Sequence, residues 1–557
     1  MPTAPPRFPS PLRSLRWVAP LSLIVLGLAT TSAGFRNQFT QDDLPLVVSN
    51  ATVHSLLPPT KFFTHPYWDD PFAHSLYRPL LTATLAVEWA VGGGNPLLYR
   101  VVSALLLLAV GIALFRLAAL LLPAGAAWAG AALFMVHPLH VEATAPAVNQ
   151  GELVVGLLLC LASAAYIRAR RAGGPGPAAS AILVLLYAVA ALYRETGLIL
   201  PLLLLAAECT VLRNPQGRDG GAGGLRSLYL ALGLVAALVL AARSLVLGGD
   251  VVGTVPAEAL AQSGLAGRAL TMLGVVPTWL RLLVWPAALQ TDYGPNEIVA
   301  ATGWGAAQWA GALIVVAWAV CVLAWRRKSP VLAFGLLWTA IALLPVSNVL
   351  VPTGILLAER TLFLASAGVA LAAGATLAAI WKRTEAPPGL VRWPVAAAVG
   401  GLLVLGMLRS NSRSRDWTDQ KTLLEQTALD APRSYAAHLA LSRFLADSGS
   451  RSVAEAHYRE AIALKPVLLD QERSMADQYR LAGFCRPAVR HYRGPLLLRP
   501  GDVAVRKSLV TCLLELERYD EVGAVAGAAT QDPAQGAFFR EAIRVADSAL
   551  AAPRRTP

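Results

Sequence analysis

A chain of 557 residues that is 55% hydrophobic, only 15% charged and of mean hydropathy +0.53 is too long and too apolar to be one soluble domain, and reads as a polytopic membrane protein. Its formal charge of +13 does not point to nucleic acid: from residue 410 onward there are 21 basic against 18 acidic side chains, so the surplus lies in the apolar part. There it falls between apolar runs in short clusters, among them Arg168, Arg170 and Arg171 and then Arg326, Arg327 and Lys328, the pattern of cytoplasmic anchors.

Arg7, Arg13 and Arg16 precede a first apolar run at 17–35, and no small-residue cleavage site follows, so this run is expected to remain as a helix. The loop after it begins FRNQFTQDDLPLVVSN and closes WDDPFAHSLYRPL. It holds Asp42 and Asp43 within a few residues of a membrane surface, where a base for a lipid-borne substrate would work. An acidic pair there is also what a helix cap or a solvated loop looks like.

Ten further apolar runs follow, at 98–121, 126–140, 150–168, 178–193, 197–212, 227–247, 306–325, 330–346, 360–381 and 393–409, giving about 11 spans. Several are shorter than the roughly 20 residues of a perpendicular crossing. Placing every basic cluster inside puts the N-terminus in the cytoplasm and everything beyond 410 on the outer, periplasmic or lumenal, side. Segment 268–289 would invert the later loops if it crossed. Interrupted by Pro277, Arg281 and Pro286, it is expected to be an interfacial or re-entrant helix on the outer side, as is 78–93 with Glu88. The outer loops are then 36–97, 137–149, 194–196, 248–305 and 347–359. The first two hold five of the eight histidines, His54, His65, His74, His137 and His140.

After RSNSRSRDWTDQ the composition changes. AEAHYREAIALKP ends at Pro466, RPAVRHYRGPLLLRP at Pro500 and ERYDEVGAVAGAATQDP at Pro533, spacings of 34 and 33 residues. That is the period of tetratricopeptide repeats, with Leu441, Ala454, Tyr458 and Ala461 at interlocking positions of a good first copy and a degraded second. A plain array of helical hairpins is the other reading. The chain is expected to be all-α: a membrane domain at 1–409, a polar juncture at 410–431 and a repeat α-solenoid at 432–557. Cys160, Cys209, Cys321, Cys485 and Cys512 lack metal-type spacing; Cys485 and Cys512 are the pair able to meet, and both are expected as free thiols.

Four outer segments are more polar than connections require: QDDLP at 41–45, HPLHVEATAPAVNQGE at 137–152, LYRETG at 192–197 and LLPVSNVLVPTGILLAERTLFL at 343–364. Charges at the edge of hydrocarbon cost up to about 2.5–3.5 kcal/mol, so Glu142, Glu152, Arg194, Glu195, Glu359 and Arg360 must be paired or face water. Singly each is explained by a partner on a neighbouring helix; together they describe a polar cavity. With LQTDYG at 289–294, NPLLYRVVSALL at 95–106, the Trp of SRDWTDQ and the trailing repeats, these segments resemble the transmembrane and tetratricopeptide-repeat O-mannosyltransferases, a family of C-type (GT-C-like) membrane glycosyltransferases. The resemblance covers nearly the whole chain with its motifs in order.

The resemblance implies an inverting glycosyltransferase that moves one sugar, mannose or another hexose, from a polyprenyl phosphate to a hydroxyl of a protein or glycolipid acceptor. A lipid phosphate leaves readily, so such a site needs a carboxylate to take the acceptor proton and cations to hold the phosphate. Asp42 or Asp43 is the expected base. Arg360, Arg194 and Arg78 are the expected phosphate cations, because arginine offers a fixed fork of donors. His137, His140, Glu142, Glu195, Glu359 and Asp292 are expected to position substrate; for the two histidines and Glu142, hydrogen bonding is the primary use and a divalent cation the secondary one. The repeats are expected to bind a protein partner or present the acceptor. The alternative is a non-catalytic, membrane-anchored repeat scaffold for envelope assembly.

Overall fold

The computed structural model describes residues 11–68, 76–213, 222–249, 256–294, 296–383 and 392–551. His74, Arg7 and Arg218 lie outside them. Every described element is a helix or a helical turn. The chain divides into two compact units, Met1–Tyr293 with Ile298–Leu423, and Gly294–Glu297 with Leu424–Pro557.

All eleven expected apolar runs are helical, but fewer are long enough to cross. Among the described residues eight helices have the length and apolarity of a span: Trp17–Arg36, Pro96–Ala119, Ala147–Arg171, Gly224–Val246, Leu265–Val284, Ala306–Lys328, Glu359–Lys382 and Arg392–Arg415. A ninth arises if Ala124–Met135 and Pro138–Thr144, bent by 50°, count as one. The runs at 178–193, 197–212 and 330–346 instead form Pro177–Tyr193, Leu200–Cys209 and Pro330–Leu343, of 17, 10 and 14 residues. Each carries a proline in its first turn, where the missing N–H costs nothing and sets the helix start.

Segment 268–289 also departs from expectation. It is one uninterrupted 20-residue helix, Leu265–Val284, with Pro277 inside and Pro286 beyond its end. Pro277 has no N–H to give the Leu273 carbonyl four residues back. Gly311 of Ala306–Lys328 packs onto that carbonyl so closely that a Cβ would collide with it. The proline is therefore tolerated inside a helix because a second backbone covers the freed oxygen. The shorter run, Pro79–Gly92, has 14 residues and buries Glu88.

The first loop is folded rather than loose. Phe39, Leu46, Val47, Val53, Phe62 and Tyr67 pack with Leu81, Leu85, Tyr99 and Val148 into one apolar cluster. The expected polar juncture is ordered too: Arg392–Arg415 is followed by Gln420–Asp430, and Trp417 is fully buried against Val141, Ala145 and Leu423. Between the loop and this stretch, Asn37 Nδ2 donates to Ser414 O at 2.9 Å, Gln38 N to Thr418 O at 2.8 Å and Gln41 N to Gln420 Oε1 at 2.7 Å.

The second unit is a run of helix pairs, Tyr435–Asp447 with Arg451–Leu464, Leu468–Leu481 with Cys485–Leu498, and Val503–Glu515 with Tyr519–Ala526, ended by Gly536–Ala551. Ser434 and Asp502 cap two of the leading helices through Ala437 N and Val505 N. Ala454 and Tyr458 recur 34 residues on as Ala488 and Tyr492, all four fully buried, so the copy that looked degraded keeps the small-aromatic interlock. The expectation of two free thiols is overturned: Cys485 and Cys512 form a disulfide, their Cα atoms 5.0 Å apart. Their 27-residue separation hides that they face each other across consecutive helix pairs.

Candidate active site

The acidic pair divides. Asp43 is fully buried, with Oδ2 3.1 Å from Arg100 Nη2 and Oδ1 accepting from Val148 N at 3.1 Å. Burial raises its carboxyl above the usual range, against the pull of Arg100 and of the main-chain N–H groups at Ala147 and Val148. Arg100 spends its other donors on the carbonyls of Asn37, Gln38 and Ala145. Asp42, one residue earlier, is half-buried and has no ion pair or side-chain hydrogen bond among the described residues. It lies within electrostatic reach of Arg360 and of Tyr67.

The three expected cations come together, and each already has a carboxylate. Arg360 pairs with the buried Glu142 through its guanidinium and also donates its main-chain N–H to Glu142 Oε2 at 2.9 Å. Arg194 Nε sits 3.0 Å from Glu152 Oε1, while Thr196 Oγ1 donates to Oε2 at 3.4 Å. Arg78 reaches Glu195 Oε2 at 3.0 and 3.3 Å, and Arg243 Nη1 reaches Oε1 at 2.9 Å. The positions follow from local chain geometry. Arg78 immediately precedes Pro79 and is kept out of the helix that starts there; Arg194 breaks the helix ending at Tyr193; Glu142, Glu152 and Glu359 stand in first turns, where the helix dipole favours a carboxylate. Arg78 and Arg360 both bear electrostatically on Arg194, as do Glu152 and Glu195 with the opposite sign, so the four ion-pairing groups around it form one network. Arg194 Nη1 is buried and meets no acceptor among the described residues.

The histidines are turned to protein partners. His137 Nδ1 accepts from Leu139 N at 3.4 Å, which leaves Nε2 to donate to Leu283 O at 3.2 Å. His140 Nε2 meets Ser366 Oγ at 2.8 Å, with the rings of Phe134 and Phe363 at 4.3 and 4.7 Å. Together they hold the bend between Ala124–Met135 and Pro138–Thr144. Glu359 is fully buried, accepting from Gln290 N at 2.7 Å and Tyr293 OH at 3.1 Å, with Arg413 Nη2 at 3.5 Å. It anchors the LQTDYG segment and with it the half-buried Asp292. Among the described residues no three His, Cys, Asp or Glu side chains are grouped as a metal site would need.

Sequence reasoning missed Arg100, Arg243, Arg413 and Tyr67. Arg100 and Arg243 carried a signal, an arginine within an apolar helix, which demands a counter-charge; Arg413, in the polar stretch after residue 410, did not. Tyr67 carried none.

The chain aligns with Protein O-mannosyl-transferase TMTC4 of Mus musculus at 26% identity over 485 residues, covering 78% of this chain and 65% of that protein. With Protein O-mannosyl-transferase Tmtc1 of Drosophila melanogaster the identity is 26% over 552 residues, covering 82% and 61%. With Protein O-mannosyl-transferase Tmtc2 of Drosophila melanogaster it is 30% over 314 residues, covering 53% and 33%. The chain thus spans less than two thirds of the length of these relatives. No family model matches it, and no solved structure does. Over about four fifths of its length the chain is a distant homologue of the transmembrane and tetratricopeptide-repeat protein O-mannosyl-transferases.

Proposed function

We propose that the chain is an inverting glycosyltransferase that moves one sugar, mannose or another hexose, from a polyprenyl phosphate to a hydroxyl of a protein or envelope acceptor. One observation carries the reading: among the described residues, of Asp42, Asp43, Glu142, Glu152 and Glu195, Asp42 alone has no arginine ion pair, and it lies within electrostatic reach of Arg360, one of the three clustered arginines. Asp42 takes the proton of the acceptor hydroxyl as that oxygen bonds to the anomeric carbon from the face opposite the lipid. The bond from that carbon to the phosphate oxygen breaks, and the electron pair leaves with the polyprenyl phosphate. Arg194, Arg78 and Arg360 stabilise the charge that gathers there. Distant homology to proteins named as O-mannosyl-transferases supports the class.

The reading includes a topology with the N-terminus cytoplasmic and both the site and the repeats outside. Leu265–Val284 then lies along the outer side without a net crossing. Bonds near both of its ends support this: Ala257 N donates to Thr353 O at 2.9 Å, and Leu283 O receives His137, each partner belonging to an expected outer loop. The Cys485–Cys512 disulfide supports an oxidising compartment for the repeats. The repeats present the acceptor.

Purified protein given radiolabelled polyprenyl-phosphate mannose and envelope protein should transfer label, and Asp42→Asn should lower turnover by about 10²-fold or more. A well-folded protein inert with every polyprenyl-phosphate sugar would support the scaffold instead.

A further inference from the structure

Tyr67 closes the first-loop cluster at 4% exposure, its main-chain N–H donating to Leu76 O at 2.7 Å. The Arg78 guanidinium lies 5.3 Å from the centre of its ring and is itself held by Glu195. Inside this packing, among the described residues, the Tyr67 hydroxyl has no hydrogen-bond partner, and neither has Arg194 Nη1. Buried donors are rarely left unmade, because nothing then repays the water they gave up. Here two belong to one charged neighbourhood, since Arg78, Arg194, Asp42 and Asp43 are all within electrostatic reach of the phenol. An anion with several acceptor oxygens would satisfy both donors at once.

We infer that the Tyr67 hydroxyl donates to a non-bridging phosphate oxygen of the lipid-linked sugar, sharing that phosphate with Arg194 Nη1. Tyr67 is then a donor-binding residue, and the inference rests on the polyprenyl-phosphate reading given above. Burial keeps the phenol protonated well beyond its ordinary range, so the hydroxyl serves as a donor throughout physiological pH. Its ring has a separate task, carrying Arg78, which Phe can take over.

The test uses the full-length protein and two probes, a short polyprenyl phosphate and the matching polyprenyl alcohol. Wild type should prefer the phosphate. Tyr67→Phe should weaken phosphate binding on the order of tenfold and leave alcohol binding unchanged, because one charge-assisted hydrogen bond is removed. A 3-fluorotyrosine at position 67, a stronger donor of nearly the same shape, should tighten phosphate binding alone. Phosphate affinity unmoved by both changes, or phosphate and alcohol affinities moving together, overturns the role of Tyr67. A wild type that binds the two probes equally overturns the polyprenyl-phosphate reading itself, a distinct result.

Discussion

Arg100 and Asp43 form a sealed ion pair, 3.1 Å apart, with side chains only 3% and 0% exposed. Because Arg100 also binds the carbonyls of Asn37, Gln38 and Ala145, the pair fastens the first loop to the segment after the bent helix. Asp43→Asn would leave a buried guanidinium without its counter-charge, at a cost of about 3–5 kcal/mol. That variant should melt early and express poorly, whereas Asp42→Asn should melt like wild type and lose turnover. Melting curves and transfer rates, measured on the same preparations, separate the two roles; equal melting losses would reverse the assignment.

Glu195 should shape the acid limb of stability. Burial alone would push its carboxyl up, but Arg78, Arg243 and Arg194 outweigh burial and hold it at about 2, against an ordinary 4.5. The unfolded chain therefore binds the extra proton between these values, so the contribution is whole above 4.5 and is lost as pH falls toward 2. Unfolding midpoints of Glu195→Gln, plotted against pH, should lack that fall and lie below wild type at pH 7, where Arg78 and Arg243 lose their carboxylate. A variant curve parallel to wild type through the acid range would refute the assignment.

The disulfide gives a count. Denatured without reductant, the protein should expose three reactive thiols, Cys160, Cys209 and Cys321, and after reduction five. Replacing Cys485 and Cys512 by alanine should cost the repeat unit about 2–4 kcal/mol, read as a lower midpoint in denaturant.

Sidedness can be read in cysteine-free protein carrying single reporters. Thr302→Cys and Ser448→Cys, both at exposed positions, should react with a membrane-impermeant maleimide in intact cells, and Ala172→Cys, also exposed, should not. Protection at both 172 and 302 would mean that Leu265–Val284 crosses.

Deleting residues 432–557 should spare hydrolysis of the donor to water while transfer to a macromolecular acceptor falls steeply. Unchanged transfer would make the repeats an assembly module.

What the sequence revealed and what it hid follow from the range of the interactions. Apolar runs and proline spacing are local, so every run became a helix and the pairs ending at Pro466, Pro500 and Pro533 formed. The carboxylates and arginines of the site were legible as charges that must be paired, but their partners were not. Arg360 finds Glu142 across 218 residues, and Arg78 finds Glu195 across 117. Which of two adjacent aspartates is buried depends on where Arg100 points, and no pattern in the loop states it. Tyr67 escaped notice because its proposed role rests on a hydroxyl with no acceptor among the described residues, a property of packing alone.

The bonds joining Asn37, Gln38 and Gln41 to residues 414–420 bear on biosynthesis. A ribosome delivers the first loop hundreds of residues before the segment that fastens it. While the chain is still emerging, the backbone groups of that loop have water or chaperones as their partners. On the proposed role of Asp42, its surroundings are complete only once Arg392–Arg415 and the stretch after it are in place, so a chain truncated before residue 392 should be inert toward donor lipid. Activity would then begin only at the completion of the membrane part.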